Sequence, residues 1–480
     1  MTRLSLSTLA QVPGAIGRPG YDVASVRIGV VHFGPGAFFR AHQGDYFDRL
    51  LARDPRWAIC AVSLHSPGVR DALEPQDGLY TLAELDARTS LRVIGAIRQL
   101  LVAPESPVDV LARLASPDVR LVTLTVTEKG YALNAEGALD LQDASVRRDL
   151  DHLDAAPTSL IGWLVAGFRA RREAGLEPFV TLSCDNLSDN GGKLGRAVVA
   201  FARAAGELDL ADWIAAKARF PRTMVDSITP ATDEPLRRRV SEALGLQDAW
   251  PIQREAFTQW VIEDELGEDA PDLASVGATL TSDVGLFEQA KLRLLNGPHS
   301  ALAYIGLLAG LDTVAQAVAE PILSAFAVKV MSEDIAPTLR SRAGLDLDDY
   351  SASVLARFAN PALRHELAQI AWDGSKKLPV RLLGTLEDAL ASGRPVDRLA
   401  IPIAAWMLFV RGQIASGRPL VDPLADQLAA CVSGDIEDDV DRFLDLNQVF
   451  PATLTRSKRF RDAVRAAHAD LRGDPLQALS

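Results

Sequence analysis

The chain has 480 residues, enough for two or three domains at roughly 150 residues each. Hydrophobic residues make up 48% and charged residues 24%, the usage of a chain with real cores, which excludes a disordered or fibrous protein. Lys and Arg number 50 against 63 Asp and Glu, and the net charge of −13 disfavours broad binding to nucleic acid or an anionic membrane, though not a local basic pocket for a small anion.

In chain order, the amino terminus lacks the apolar run of a signal peptide. Residues 27–33 (RIGVVHF) then form a short apolar run ending at Gly34. Residues 58–64 form a second, and 91–97 a plausible third. Residues 119–126 (VRLVTLTV) give the clearest strand, rich in β-branched side chains, and 178–183 give another. Between the last two, Leu160, Trp163, Leu164, Val165 and Phe168 fall at helical spacing within 159–172. Strands separated by helices predict βαβ units and a mostly parallel sheet. Residues 186–284 read as mixed. After about residue 285 strand signals become rare, and Ala/Leu-rich helices are expected at 287–311, 312–332, 350–370, 396–415 and 457–471. The longest apolar stretches, 301–311 and 400–410, are too short for a bilayer span of about 20 residues and read as buried helices. Cys60, Cys184 and Cys431 lie far apart without zinc-ligand spacing, so no metal site is expected and a reducing cytoplasm fits best.

Five segments carry chemistry. The first is Gly34-Pro35-Gly36-Ala37-Phe38-Phe39-Arg40, directly after the first strand. Its glycines would let backbone approach a pyrophosphate, but the fingerprint G-x-G-x-x-G wants a third glycine where Phe39 stands. It reads equally as a dinucleotide loop or a plain tight turn. The ribose-binding acid expected after the second strand is missing from residues 64–68 (LHSPG). Asp71 is the nearest candidate, and this gap bears on NAD versus NADP. The second, Thr127-Glu128-Lys129-Gly130-Tyr131, follows the strongest strand at the end that faces the ligand crevice; a solvated charged turn is the plainer reading. The third, Ser183-Cys184-Asp185-Asn186, offers an amide to a developing oxyanion through Asn186, or only an Asx turn or cap. The fourth, residues 288–300 (EQAKLRLLNGPHS), is the most informative. Lys291, Asn296 and His299 fall within nine residues. At about 100° per residue Asn296 and His299 lie about 60° apart on one face, and Asn296-Gly297-Pro298 reads as a helix start or a kink. A lysine at a closed domain junction loses solvation, which lowers its pKa, and Arg293 would push the same way; a neutral lysine is a general base for an alcohol. An amphipathic helix with surface Lys and Arg is the bland alternative. The fifth, residues 373–379 (DGSKKLP), is a basic turn suited to an anionic or polyhydroxylated substrate, or to solvent.

Taken in order, these segments resemble the polyol-specific long-chain dehydrogenase/reductase family, also called the mannitol dehydrogenase family. The likeness runs from about Ile28 to about Arg472 and rests on residues 32–43, 125–131, 182–187, 224–230, 259–264, 291–300 and 373–379. Within the family, residues 358–365 and 369–375 are most similar to its fructuronate reductase (D-mannonate oxidoreductase) branch. Gln369 stands where mannitol 2-dehydrogenases tend to carry arginine, and Phe38-Phe39-Arg40 stands where the family commonly reads F-H-R. The resemblance implies a Rossmann-like dinucleotide-binding domain with an additional mixed segment (1–284), a helical substrate-binding and catalytic domain (285–480), an active site between them and no metal. It makes Lys291 the general base, Asn186 and Asn296 the amides at the reacting oxygen, His299 the residue orienting that oxygen, and Glu288 the proton relay. Lys377, Asp226 and Arg293 are expected on the substrate. Gly34, Gly36, Ala37, Phe38, Phe39, Arg40, Thr127 and Glu128 are expected on the cofactor. NAD is the implied cofactor, with NADP left open. A sugar acid or polyol is the expected partner, with no nucleic acid or membrane, for a cytoplasmic monomer. A mannitol 2-dehydrogenase, another polyol or hexonate dehydrogenase, and a nicotinamide-binding sensor are the alternatives.

Overall fold

The computed structural model describes residues 1–86, 88–339 and 345–479. They form two compact units, Met1–Val284 and Gly285–Ser480. In the first unit the strands, in chain order, are β1 (Ile28–Phe33), β2 (Ala58–Ser63), β3 (Tyr80–Leu85), β4 (Ser90–Ile94), β5 (Ile97–Val102), β6 (Leu121–Leu124), β7 (Val180–Ser183), β8 (Thr223–Asp226), β9 (Ile252–Glu255), β10 (Gln259–Glu263) and β11 (Thr279–Thr281). A five-stranded parallel sheet runs β5-β2-β1-β6-β7. Val31 and Phe33 of β1 enter one core with Val62, Leu124 and Phe168, and Val30 enters another with Phe47, Ile59 and Trp260. Burial on both faces explains why these strands read as unbroken apolar runs.

From β1 the chain extends the sheet first through β2 and β5, then on the other side through β6 and β7. The order therefore reverses between β1 and β6, the switch point where open α/β sheets bind ligands beyond their strand ends. Phe33 is level with Val62 and Leu124, and Leu124 with Ser183. The loops after β1, β6 and β7 thus leave the sheet side by side.

Two smaller sheets, β4-β3-β9 and β11-β10-β8, complete the unit. The third expected strand is corrected here. Residues 91–97 are split at Gly95-Ala96, so that β4 pairs antiparallel with β3 while β5 joins the parallel sheet. The expected helix at 159–172 is Leu160–Glu173, started by the Ser159 hydroxyl, which accepts from the Gly162 N–H at 2.9 Å.

The second unit is helical, with no strand among its described residues. Its expected long helices are interrupted. The first is α-helical over Val284–Ala290, π-helical over Lys291–Asn296 and α-helical again over Gly297–Leu308. Residues 312–332 break at Pro321 and end in a second π segment, Val330–Ile335. A third, Pro379–Leu383, follows the short helix Gly374–Leu378. The helix Asp397–Ala415 is long and apolar enough by composition to cross a bilayer, yet 56% of its most apolar window is buried inside the protein. It packs on Gly297–Leu308 and Lys458–Asp470 as a core helix.

Candidate functional site

The first unit gathers three of the singled-out segments at one edge of the sheet. Gly34 sits at φ +87°, where a Cβ would come within 2.2 Å of the Thr125 carbonyl oxygen, so only glycine lets the loop cross the end of β6. Gly36 has a different setting. A Cβ there would meet nothing nearer than the Gly34 carbonyl oxygen at 3.8 Å, so packing within the chain does not demand its glycine. The space before the loop is open, as close approach by a ligand requires. The helix Ala37–Ala41 starts at this point, and its first N–H groups lack intrahelical partners.

Phe39, in the place of the fingerprint's third glycine, is fully buried and stacks on His32 with ring centroids 3.5 Å apart. His32 Nδ1 lies 2.7 Å from the Thr123 hydroxyl; its Nε2 lies 3.0 Å from the Thr125 hydroxyl and 3.2 Å from the Gly34 carbonyl oxygen. Burial pushes this imidazole down to about 3, so it is neutral. Arg40 also turns inward. Its Nη1 donates to the Trp250 carbonyl at 2.8 Å, its guanidinium lies 4.8 Å from the Trp250 ring centroid, and burial lowers it to about 10. Gly34, Gly36, Ala37 and Phe38 therefore stay on the loop, while the Phe39 and Arg40 side chains brace it from inside.

Beyond β6, Thr127 adopts φ +68° and ψ 163°, a sparsely populated region for a non-glycine residue. Asp185, just past β7, holds it there. One carboxylate oxygen accepts the Thr127 N–H at 2.9 Å, and the other accepts the Val126 N–H at 3.0 Å and the Tyr131 hydroxyl at 2.7 Å. Burial raises this carboxyl above its ordinary value, while the donated hydrogen bonds pull it back. Glu128 is exposed on the same loop, and Asn186 is exposed next to Asp185. Asn190 anchors the turn that carries Asn186. Its amide donates to the Ser183 and Thr223 carbonyls and accepts the Thr223 N–H, tying β7 to β8, whose end places Asp226 in a buried position.

In the second unit the π segment decides the geometry. Along a regular α-helix Lys291 and Asn296 would point about 140° apart. With i→i+5 closure each residue turns by about 82°, which brings them to about 50°. The flanking α-helical turns then place His299 about 10° and Glu288 about 60° from Lys291. Four polar side chains that a uniform helix would scatter thus share one stripe. Lys291, Asn296 and Glu288 are partly exposed, and His299 is buried. The His299 ring stacks on Phe358 at 5.1 Å and lies 5.0 Å from His365. Burial, then the charges of His365, Arg381, Arg357 and Lys377, hold it well below its ordinary value.

Arg293 falls roughly opposite Lys291 on this segment. Its Nη1 lies 2.6 Å from an Asp388 carboxylate oxygen and donates to the Thr338 hydroxyl at 3.0 Å. Arg293 is expected on the substrate and as a charge near Lys291; in this structure its guanidinium pairs with Asp388 and Thr338. Lys377 is half-buried and donates to the Ile370 carbonyl at 3.1 Å; burial and then Arg381 lower its pKa. The turn before it is fixed by Asp422, which accepts the Ser375 N–H and hydroxyl.

Residues 28–275 match the mannitol dehydrogenase Rossmann domain, and residues 283–472 match the mannitol dehydrogenase C-terminal domain. The chain belongs to the mannitol dehydrogenase family. It is 39% identical over 478 residues to a D-mannonate oxidoreductase of Escherichia coli (strain K12), covering 97% of this chain and 98% of the relative. It is 38% identical over 461 residues to a mannitol 2-dehydrogenase of Pyrenophora tritici-repentis, covering 94% and 80%. The solved Pseudomonas fluorescens mannitol 2-dehydrogenase, a ternary complex with NAD and D-mannitol, is similar with a TM-score of 0.82 at 35% identity, covering 100% of this chain and 98% of that one. The mannitol dehydrogenase family member described here is thus an oxidoreductase with a Rossmann-like first domain and a helical second domain.

Sequence reasoning missed His32, Asp185, Arg381 and His365. Asp185 lay inside a quoted motif, and only the hydrogen bonds it accepts from residues 126, 127 and 131 reveal its work. Arg381 follows Lys377 by four residues, a spacing that was available as a signal.

Proposed function

We propose that the chain catalyses D-fructuronate + NADH + H⁺ ⇌ D-mannonate + NAD⁺. The observation that carries this reading is the polar stripe Glu288, Lys291, Asn296 and His299, aligned by the π segment Lys291–Asn296. It joins an acid, an amine, an amide and an imidazole on one face, the set that carbonyl reduction without a metal needs. In the reductive direction the Lys291 ammonium gives its proton to the carbonyl oxygen. In the oxidative direction the neutral amine removes it from the secondary hydroxyl. Glu288, one turn before, exchanges that proton with solvent. The amides of Asn296 and Asn186 donate to the reacting oxygen and stabilise it as an alkoxide. His299, neutral, orients that oxygen, and Lys377 and Asp226 hold other substrate hydroxyls.

Gly34 and Gly36 leave the loop the room that a dinucleotide pyrophosphate needs; the N–H groups of Ala37 and Phe38 would hold it, with Phe39 and Arg40 supporting the loop from inside. Thr127 and Glu128, on the adjacent strand-end loop, would also hold the cofactor. The nicotinamide, when bound, supplies the hydride to the ketone carbon or takes it back. NAD is preferred here because the similar P. fluorescens enzyme holds NAD. The reading uses no metal, and no group of three or more His, Cys, Asp or Glu among the described residues is placed to hold one.

A panel of D-fructuronate and D-fructose with NADH and NADPH side by side tests the proposal. Fructuronate with NADH should give the highest kcat/KM. Fructose turnover far above fructuronate would make the chain a mannitol 2-dehydrogenase instead. Bound NADH without turnover of any hexuronate, hexonate or hexitol would make it a sensor.

A further inference from the structure

We infer that Arg381 grips the carboxylate of an acidic sugar substrate and thereby sets the preference for a hexuronate over a neutral ketohexose. The inference deepens the proposed function and rests on it. Arg381 lies in the π segment Pro379–Leu383, which packs against the π segment carrying Lys291 and Asn296. It is partly buried, and its one hydrogen bond among the described residues runs from Nη1 to the Ser300 hydroxyl at 3.0 Å. Ser300 directly follows His299. No carboxylate pairs with Arg381 among the described residues. Other arginines of the same unit do have acids: Arg293 has Asp388, Arg398 has Glu333 and Asp334, and Arg411 has Asp439. A guanidinium drawn out of water without a counter-charge is costly, so this one is built for an anion that the chain itself does not provide.

Beside it, His299 is only 8% exposed, and its Nε2 has no hydrogen-bond partner among the described residues. The charged groups that act on His299 are Arg381, Arg357 and Lys377, with His365 against its ring, and no acid is among them. Lys377 is partly compensated, since Asp373 and Asp422 act on it and its Nζ serves the Ile370 carbonyl. Arg381 has no such relief. Two adjacent segments therefore offer an orphan imidazole nitrogen for a hydroxyl or carbonyl oxygen and an orphan guanidinium for an anion. A hexuronate carries its carboxylate at the end of the carbon chain far from the reacting ketone, and the planar fork of arginine matches it in two parallel hydrogen bonds. Fructose or mannitol presents a neutral hydroxymethyl group there and would leave the guanidinium unpaired.

Steady-state kinetics of Arg381→Gln and Arg381→Lys with fructuronate and fructose test this, beside NADH titration and thermal melting to show that the fold is kept. Arg381→Gln should raise KM for fructuronate roughly a hundredfold and change kcat/KM for fructose less than about threefold. Arg381→Lys should recover part of the loss, because a point charge without the fork still attracts the carboxylate. If the glutamine variant fails to fold, the lysine variant carries the test, with an expected selective loss of about tenfold. Equal losses on both ketoses would overturn the inference and make Arg381 a support for Ser300 and His299; no loss on either would remove it from the site. If the wild type reduces only neutral sugars, the proposed function falls, and the anion site is then judged separately by D-mannonate inhibition of fructose reduction. Inhibition that weakens in Arg381→Gln would sustain the site, and no inhibition of the wild type would remove it.

Discussion

Asp185→Ala offers the sharpest test of how the first unit prepares its loops. The carboxylate accepts three hydrogen bonds, from the Val126 and Thr127 N–H groups and the Tyr131 hydroxyl. Bonds to an ionised acceptor contribute about 1.5–3 kcal/mol each. The loop is partly open, so water replaces some of them, and relaxing Thr127 from φ +68° returns about 1 kcal/mol of strain. The expected net loss is about 2–4 kcal/mol in urea unfolding of the first unit. Asp185→Asn should be nearly as damaging, because one half of its amide would point N–H groups at backbone N–H groups. The functional consequence is separate. With Thr127 and Glu128 no longer fixed, NADH affinity should fall about tenfold, equivalent to about 1.4 kcal/mol, by fluorescence titration. A stability loss below about 1 kcal/mol together with a Kd within twofold of wild type would refute the reasoning.

Three further outcomes are expected. Lys291→Ala should lower kcat/KM by about 10²–10⁴-fold with NADH affinity nearly unchanged; in the wild type, oxidation should rise with pH through the lysine's pKa while reduction falls, and a loss below tenfold in the variant would take Lys291 out of the general-base role. Acid should destabilise both units through buried neutral histidines. His32, lowered to about 3, and His468, lowered to about 4, refuse below pH 6.5 a proton that the unfolded chain accepts, so stability is lost as pH falls, by about 2 kcal/mol for each at pH 5. Urea midpoints at pH 7 and 5 should therefore diverge less in His468→Gln than in the wild type, and identical pH slopes would contradict it. EDTA should leave turnover unchanged; loss restored by Zn²⁺ would show that a metal takes part after all.

How far the sequence reveals this molecule depends on the range of the forces involved. β1, β2, β6 and β7 are legible because burial on both faces writes an apolar run directly into the chain. Residues 91–97 mislead because a turn at Gly95-Ala96 divides a run whose composition stays constant, and only pairing partners distinguish β4 from β5. The glycine loop is visible, but its support is not. Phe39 looks like a defect in a fingerprint until His32 is found stacked beneath it. Arg293 shows the same limit, because its partner is remote in the chain. Two residues from Lys291 in sequence, it faces away, to an acid in the helix Gly384–Ala391 that no local spacing announces.

The π segment is the deepest of these cases, because composition cannot tell an α turn from a π turn. At α-helical pitch the spacing of five between Lys291 and Asn296 argues against a shared face, and a strict periodicity reading would discard the pair. An i→i+5 turn packs its backbone less well than an α turn, so one persists only where surrounding contacts over-determine it. In this unit such contacts exist. The segment Lys291–Asn296 packs on both Val330–Ile335 and Pro379–Leu383, themselves π-helical. The cost of three irregular turns is thus concentrated where polar side chains are aligned. One extra residue in a helix rotates everything after it by about 100°, and widening the turn absorbs that rotation locally. Lys291 then keeps Glu288, Asn296 and His299 within about 60° of itself, while Gly297–Leu308 continues into the core. A regular helix through this stretch would turn Asn296 about 140° and His299 about 80° from the lysine. The π turn brings both within about 50° of it.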